Sequence, residues 1–288
     1  MKIIEGGLCA VDDILVSASK EGKYGLAIIS NKGSNAAAVF TSNKVVANPV
    51  ILTKQSIKNG KIDAVVVNSG NANCYNGNQG LIDAKLMVNQ VADKLNINPS
   101  NVAVASTGVI GRAMPMDIIS SLIEDNLNSL DHSQKSAHEV AKAIMTTDTV
   151  PKEISVETTL NDGTIAKIGA VTKGSGMIEP NMGTMLSFIV TDIDATPKEL
   201  NIALKEAVNQ SFNRIVVDGD ESTNDMALLM STCKSGKIDN NFQEALNFVC
   251  LELAKMMLKD GEGASKYIEV EVKNAKSVDE SLDRKSVV

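Results

Sequence analysis

An α/β fold, built as a layered sandwich of two packed sheets with outer helices, is predicted from three observations. Four apolar strands are read within residues 1–70, later strands come in blocks rather than in strict alternation with helices, and five segments each carry one apolar stripe at helical period. Helices of that kind cover a sheet on one side. No internal repeat, low-complexity tract or long linker divides the chain, so one folded unit is expected.

In order, 24–30, 36–42, 49–54 and 62–68 read as strands separated by Gly, Asn and Lys turns. The Gly- and Asn-rich SGNANCYNGNQG follows. A helix then takes Leu81, Ile82, Met87, Val88, Val91, Ala92 and Leu95, and ends before Pro99. NVAVAS (101–106) is a buried strand running into TGVIG, and Pro115 opens a helix with Ile118, Ile119, Leu122 and Ile123 on one face. A third helix spans about 133–145. Between 154 and 172 two strands surround the hairpin turn Asn161-Asp162-Gly163. The glycine-rich KGSGMIEPNMG runs into a strand that starts at Thr184. Helices follow at 197–212 and 241–259, the second closed by Gly261, with strands expected at RIVVDG (214–219), MALLMST (226–232) and YIEVEV (267–272). The last segment, SVDESLDRKSVV, starts like a capped helix.

The 288 residues are 43% apolar and 22% charged, and no apolar run reaches the length a membrane helix needs. No basic segment precedes an apolar one at the N-terminus, so a cytoplasmic location is the default expectation. A net charge of -7 argues against a nucleic-acid or anionic-membrane surface and favours small-molecule chemistry. Cys9, Cys74, Cys233 and Cys250 form no CxxC pair and are expected as buried, reduced thiols. His132 and His138 lie in a polar, helix-like stretch, so a nucleophile in this chain works without a histidine base.

The junction Gly183-Thr184 carries the most chemistry. A glycine-rich loop reaches backbone conformations closed to other residues and can press a peptide carbonyl against a nucleophile. Attack by the Thr184 hydroxyl on the carbonyl of Gly183 gives an ester that water cleaves, and cleavage exposes a new α-amine. That amine, with a pKa of about 7.7–8.0, can act as base for its own hydroxyl. By composition alone the same junction is an ordinary loop entering a strand.

The surrounding words carry a second signal. KGSGMIEPNMGTMLSFIVTDID, NSGNANC (68–74), STGVIGRAMPMD (106–117), AIMTTDTVPK (143–152), SFNRIVVDGDESTND (211–225) and DGEGASK (260–266) resemble, in order, segments of the glutamate N-acetyltransferase (ornithine acetyltransferase, ArgJ-type) family. The resemblance implies an N-terminal-nucleophile fold of the ArgJ/DmpA kind, divided into an α-chain segment 1–183 and a β-chain segment 184–288. It makes Thr184 the nucleophile and Thr107 with Gly108 the oxyanion hole, where a hydroxyl and a backbone N–H aim at developing charge. Lys173 resembles the ligand of the substrate α-carboxylate, and Glu262 the acidic residue facing the cationic side chain of ornithine. One of Thr146 and Thr147 is a further substrate contact, and NSGNANC is a loop that could position the oxyanion segment. Without the resemblance, Lys173 and Glu262 read as solvated charges and the threonines as caps.

The activity implied is transfer of acetyl from N2-acetyl-L-ornithine to L-glutamate through acetyl-Thr184. The fragments are expected to stay associated, as a heterotetramer of two α and two β chains. No cofactor is required. Some family members also take acetyl-CoA as a second acetyl donor, and that use stays open here, with no GxxxxGK[ST] or GxGxxG signature to support it. DGDESTND invites a metal reading through Asp218, Asp220, Glu221 and Asp225; the EF-hand spacing is absent, and no metal is expected.

Two features depart from the family pattern. Gly183 stands where Ala is usual, which loosens the loop and implies slower processing. The family also continues beyond the length of this chain, with a C-terminal Asn and Ser or Thr that complete its pocket, so the β-chain segment reads as truncated. Two rival readings fit the same residues: an N-terminal-nucleophile aminopeptidase or amidase that delivers the acyl group to water, and an uncleaved, non-catalytic homologue.

Overall fold

The computed structural model describes residues 1–179, 185–277 and 280–281. Two sheets face each other. One has the order β1-β7-β8-β9-β10-β4, from Lys2–Ile4, Lys152–Thr159, Ile165–Lys173, Leu186–Thr191, Met226–Ser231 and Asn35–Phe40. The other has the order β2-β3-β5-β6, from Leu15–Glu21, Tyr24–Ser30, Ala64–Asn71 and Val102–Val109. Neighbours are antiparallel except β9 with β10 and β5 with β6.

The two-residue period of each strand sorts its side chains into layers. Between the sheets, Val171, Leu186, Phe188, Val190, Met226, Leu228 and Met230 of the larger sheet pack on Ala27, Ile29, Val65, Val67, Ala103 and Ala105 of the smaller. The larger side chains of one sheet, such as Phe188, Leu228 and Met230, share this layer with Ala27, Ala103 and Ala105 of the other. Outside the smaller sheet, Leu26, Ile28, Val66 and Val104 are covered by α2 (Gly77–Leu95) and α3 (Met116–Asn128). Outside the larger sheet, Ile168, Ile189 and Leu229 are covered by α5 (Pro197–Gln210) and α6 (Asn240–Lys259). The helix α4 (Gln134–Ala143) contributes Ala137, Val140 and Ala141 to the central layer. The layered sandwich expected from sequence is thus the observed architecture.

Three expected strands are corrected. Residues 49–54 lie in a helix, α1 (Asn48–Ser56), with Pro49 in its first turn and Val50, Thr53 and Ser56 buried at a helical spacing. Its β-branched, apolar run imitated a strand. The Thr53 hydroxyl donates to the Val104 carbonyl at 2.7 Å and accepts the Val104 N–H at 2.8 Å, docking α1 on β6. RIVVDG forms no strand: Phe212–Arg214 is a 3-10 turn, and Val217 donates its N–H to Ile178. YIEVEV is exposed, with Ile268 at 76%, and pairs with no strand among the described residues.

Two strands, β1 and β2, lie where the sequence reading placed none. Of the four cysteines, Cys9, Cys74 and Cys250 are buried and Cys233 is half-buried; burial pushes the Cys250 thiol up to about 12. No helix among the described residues is long and apolar enough to cross a membrane.

Candidate active site

The central layer changes character at one end. On β6 the inward series Ala103, Ala105 continues to Thr107, and on β8 the inward residue Val171 is followed, two positions on, by Lys173. Thr107 and Lys173 therefore face each other across the sandwich. The Lys173 Nζ donates to the Thr107 Oγ1 at 3.3 Å, and both side chains are buried. Lys173 is paired in the β8–β9 register with Leu186. Thr184 and Gly183 lie outside the described residues; the described flanks of that segment are Glu179 and Met185.

A bulge shapes the end of β6. Asn71 is aligned with both Thr107 and Val109, so the register shifts beside Gly70, and Gly108 adopts φ 130°. A side chain at Gly108 would put its Cβ 2.4 Å from the Gly70 carbonyl carbon. The loop from 68 to 74 holds this bulge. Asn71 donates to the carbonyls of Arg112 and Ala113 at 3.1 and 3.0 Å, and the Ala72 N–H bonds Val109 at 3.0 Å. Asn224 donates to the carbonyls of Ala72 at 2.7 Å and Ser106 at 2.9 Å, tying loop and strand together directly before Thr107.

Lys173 sits in a buried charge network. Its ammonium is 3.9 Å from Asp148 Oδ2, while Asp148 Oδ1 accepts Lys152 Nζ and the Gly174 N–H, both at 2.7 Å. Lys152 also reaches Asp260 Oδ2 at 2.5 Å. Burial pushes the Lys173 ammonium below its usual range, against the pull of Asp148, and the nearby positive charge of Lys152 lowers it further. For Asp148, burial works upward, but the charges of Lys173 and Lys152 outweigh it and hold the carboxyl below its usual value.

The remaining expected residues gather around this network. Thr147 shares a 2.7 Å hydrogen bond with Ser175, and the Thr146 N–H donates to Asp148 at 3.1 Å. Both threonines are exposed. The Glu262 N–H donates to the Ser175 carbonyl at 2.6 Å, and its exposed carboxylate lies against Gly176, where a Cβ would come within 2.6 Å of Oε2. Thr107, Gly108, Thr146, Thr147, Lys173 and Glu262 thus belong to one neighbourhood built from β6, β8, the 146–149 turn and the end of α6.

The acidic segment 218–225 acts on the backbone. Asp218 accepts the N–H groups of Met177 and Ile178, the latter at 2.9 Å, and Asp225 Oδ1 accepts the Met185 N–H at 2.8 Å. It grips both described flanks of 180–184. Glu221 bonds Ser42 and Asn43 instead. Burial raises the Asp225 carboxyl well above its usual value, and its Oδ2 is buried without a hydrogen-bond partner among the described residues. The histidines lie elsewhere: His132 Nδ1 is 2.8 Å from the Ile14 carbonyl and His138 is paired with Glu153 at 2.5 Å.

Sequence reasoning missed Asp148, Lys152, Ser175, Asn224 and Asp260. The signal available was TTDTVPK, in which an aspartate and a lysine four apart flank a proline at the start of a strand. Only the fold says that both are buried.

A glutamate N-acetyltransferase from Methanothermobacter thermautotrophicus is 57% identical over 275 residues, covering 96% of this chain and 68% of that relative. The crystal structure of the arginine biosynthesis bifunctional protein ArgJ from Bacillus halodurans superposes with a TM-score of 0.58 at 37% identity, over 63% of this chain and 98% of that one. Ornithine acetyltransferase from Mycobacterium tuberculosis, solved with ornithine, gives a TM-score of 0.57 at 31% identity, over 64% and 98% of the two chains. The ArgJ family matches residues 14–287, nearly the whole length. On that match and those identities, the chain belongs to the ArgJ family.

Proposed function

We propose that this protein is a self-cleaving acetyltransferase of arginine biosynthesis, which moves acetyl from N2-acetyl-L-ornithine to L-glutamate through an ester on Thr184. The observation that carries the reading is the meeting of Thr107 and Lys173 across the two sheets, in register with Leu186, two residues beyond Thr184. Family membership and the names of the relatives support the substrates.

In the proposed sequence, the peptide bond between Gly183 and Thr184 opens first. The hydroxyl of Thr184 then attacks the acetyl carbonyl of acetylornithine, and its proton passes through the new α-amine to the departing ornithine nitrogen. Thr107 Oγ1 and the Gly108 N–H stabilise the oxyanion. Lys173 takes the α-carboxylate and Glu262 the side-chain ammonium. Of the two threonines, Thr147 is taken as the substrate contact, a reading supported by its bond to Ser175, whose carbonyl holds the Glu262 N–H. Glutamate next binds in place of ornithine, its amine attacks the ester, and the hydroxyl is regenerated. Glu262 is exposed, so it can turn away from the glutamate side chain.

Initial rates at varied acetylornithine and glutamate test this. Parallel double-reciprocal lines, with an acetylated β-chain after donor alone, are expected. Intersecting lines and an unmodified β-chain would replace the ester by direct transfer, and release of acetate without acetylglutamate would make the protein a hydrolase.

A further inference from the structure

Two lysines are buried side by side, and they are used differently. The Lys152 ammonium reaches Asp148 Oδ1 at 2.7 Å, Asp260 Oδ2 at 2.5 Å and the Val150 carbonyl at 3.3 Å, which engages its three donors within the protein. Among the described residues Lys173 has Thr107 at 3.3 Å and a more distant Asp148 at 3.9 Å, a looser set of partners than that of Lys152. The side chains of Lys152, Asp148 and Asp260 are 1%, 0% and 4% exposed.

We infer that Lys152, with Asp148 and Asp260, is a brace that sets the gap between Lys173 and Glu262 and so selects the length of the amino acid bound between them. The inference rests on the proposed function, in which those two side chains hold opposite ends of ornithine. Each pole is tied to the brace. Asp148 accepts the Gly174 N–H beside Lys173, and also the Thr146 N–H at 3.1 Å. Asp260 lies two residues before Glu262 and accepts the Thr149 N–H through both oxygens, at 3.2 and 3.0 Å. The backbone at Glu262 is held in turn by its N–H on the Ser175 carbonyl. A single ammonium, that of Lys152, thereby links the wall carrying the positive pole to the wall carrying the negative one.

Stability does not require this arrangement. Buried ion pairs are often replaced by apolar residues of similar volume at no loss, because desolvation offsets their attraction. Two buried carboxylates around one buried ammonium make better sense as a device for position. As positioning residues they act on binding through Lys173 and Glu262, without touching the reacting atoms.

The test compares L-ornithine with L-lysine, one methylene longer, by calorimetric binding to the processed full chain. The parent is expected to prefer ornithine by about tenfold or more, the usual worth of one methylene in a fitted pocket. The charge-neutral double variant Lys152→Met with Asp260→Asn should bring that ratio towards one and weaken ornithine by about tenfold, while self-cleavage stays within about threefold of the parent. Retained self-cleavage reports an intact fold. Lys152→Arg, which keeps both ion pairs, should restore preference for ornithine, and it serves as the measurement if the double variant fails to fold: an Arg variant with no preference overturns the brace. A folded double variant with the parent's ratio overturns the brace alone. A parent that binds neither amino acid overturns the proposed function and the brace with it.

Discussion

Lys173 shows how far a residue's role depends on its surroundings. Beside a glycine in sequence it reads as a solvated charge; in the fold it is buried with Thr107 before it and Asp148 behind it. Thr107 is in turn an ordinary turn hydroxyl by composition, yet it closes the inward row of β6. If it stabilises the oxyanion, Thr107→Ala should lower acetyl transfer by about 10²–10³-fold, the usual cost of one such donor. Self-cleavage should fall less, since its oxyanion forms on the loop carbonyl. Turnover within about threefold of the parent would return Thr107 to a structural role. Asp225 gives a second prediction at this scale. Burial raises its pKa in the fold above the value of 3.8 it regains when unfolded, so the folded state holds a proton that the unfolded state releases. Stability is therefore lost as pH rises through that window, by at most about 1.4 kcal/mol per pH unit for one proton. In a Thr184→Ala background, where the chain stays whole, Asp225→Asn should keep the acceptor for Met185 and lose this slope. Urea unfolding between pH 4 and 8 should show the variant gaining on the parent as pH rises, and parallel curves would contradict the assignment.

At the scale of elements, the sequence was legible wherever one periodicity dominated. The strands β3, β5, β6, β7, β8 and β10 and the helices α2 to α6 follow from alternation, apolar stripes and turn residues such as Asn161-Asp162-Gly163. It misled where a short apolar run fits both periods. α1 reads as a strand by its Val, Ile and Thr, and only the spacing of Val50, Thr53 and Ser56, with Pro49 at the start, records the helix. The site was legible only in part for a related reason. Thr107, Lys173 and Glu262 stand out through family words, whereas Asp148, Lys152 and Asp260 act through contacts between distant segments that no local pattern encodes. The dock of α1 on β6 can be tested directly. Thr53→Val removes a hydroxyl that serves both the N–H and the carbonyl of Val104 in a buried setting, so unfolding free energy should drop by about 1–3 kcal/mol. A change within about 0.5 kcal/mol would mean that α1 is held by its apolar face instead.

For the molecule as a whole, the decisive feature is where β9 lies. The strand that follows Thr184 is interior to the larger sheet, bonded to β8 on one side and β10 on the other, with Leu186, Phe188 and Val190 in the central core. A break just before it would leave its backbone pairing and apolar contacts in place, so the two pieces should co-elute and separate only on denaturation. The flanks are held as well, by Asp218 at Met177 and Ile178 and by Asp225 at Met185. The central claim is that Thr184 opens the bond before it and becomes the nucleophile. Intact-mass spectrometry of the purified chain during incubation, beside Thr184→Ala and Thr184→Ser, tests that claim most directly. The account predicts one break, between Gly183 and Thr184, partial retention in the Ser variant and none in the Ala variant. A parent that stays whole, a break at another bond, or an Ala variant that still splits at this one would contradict it.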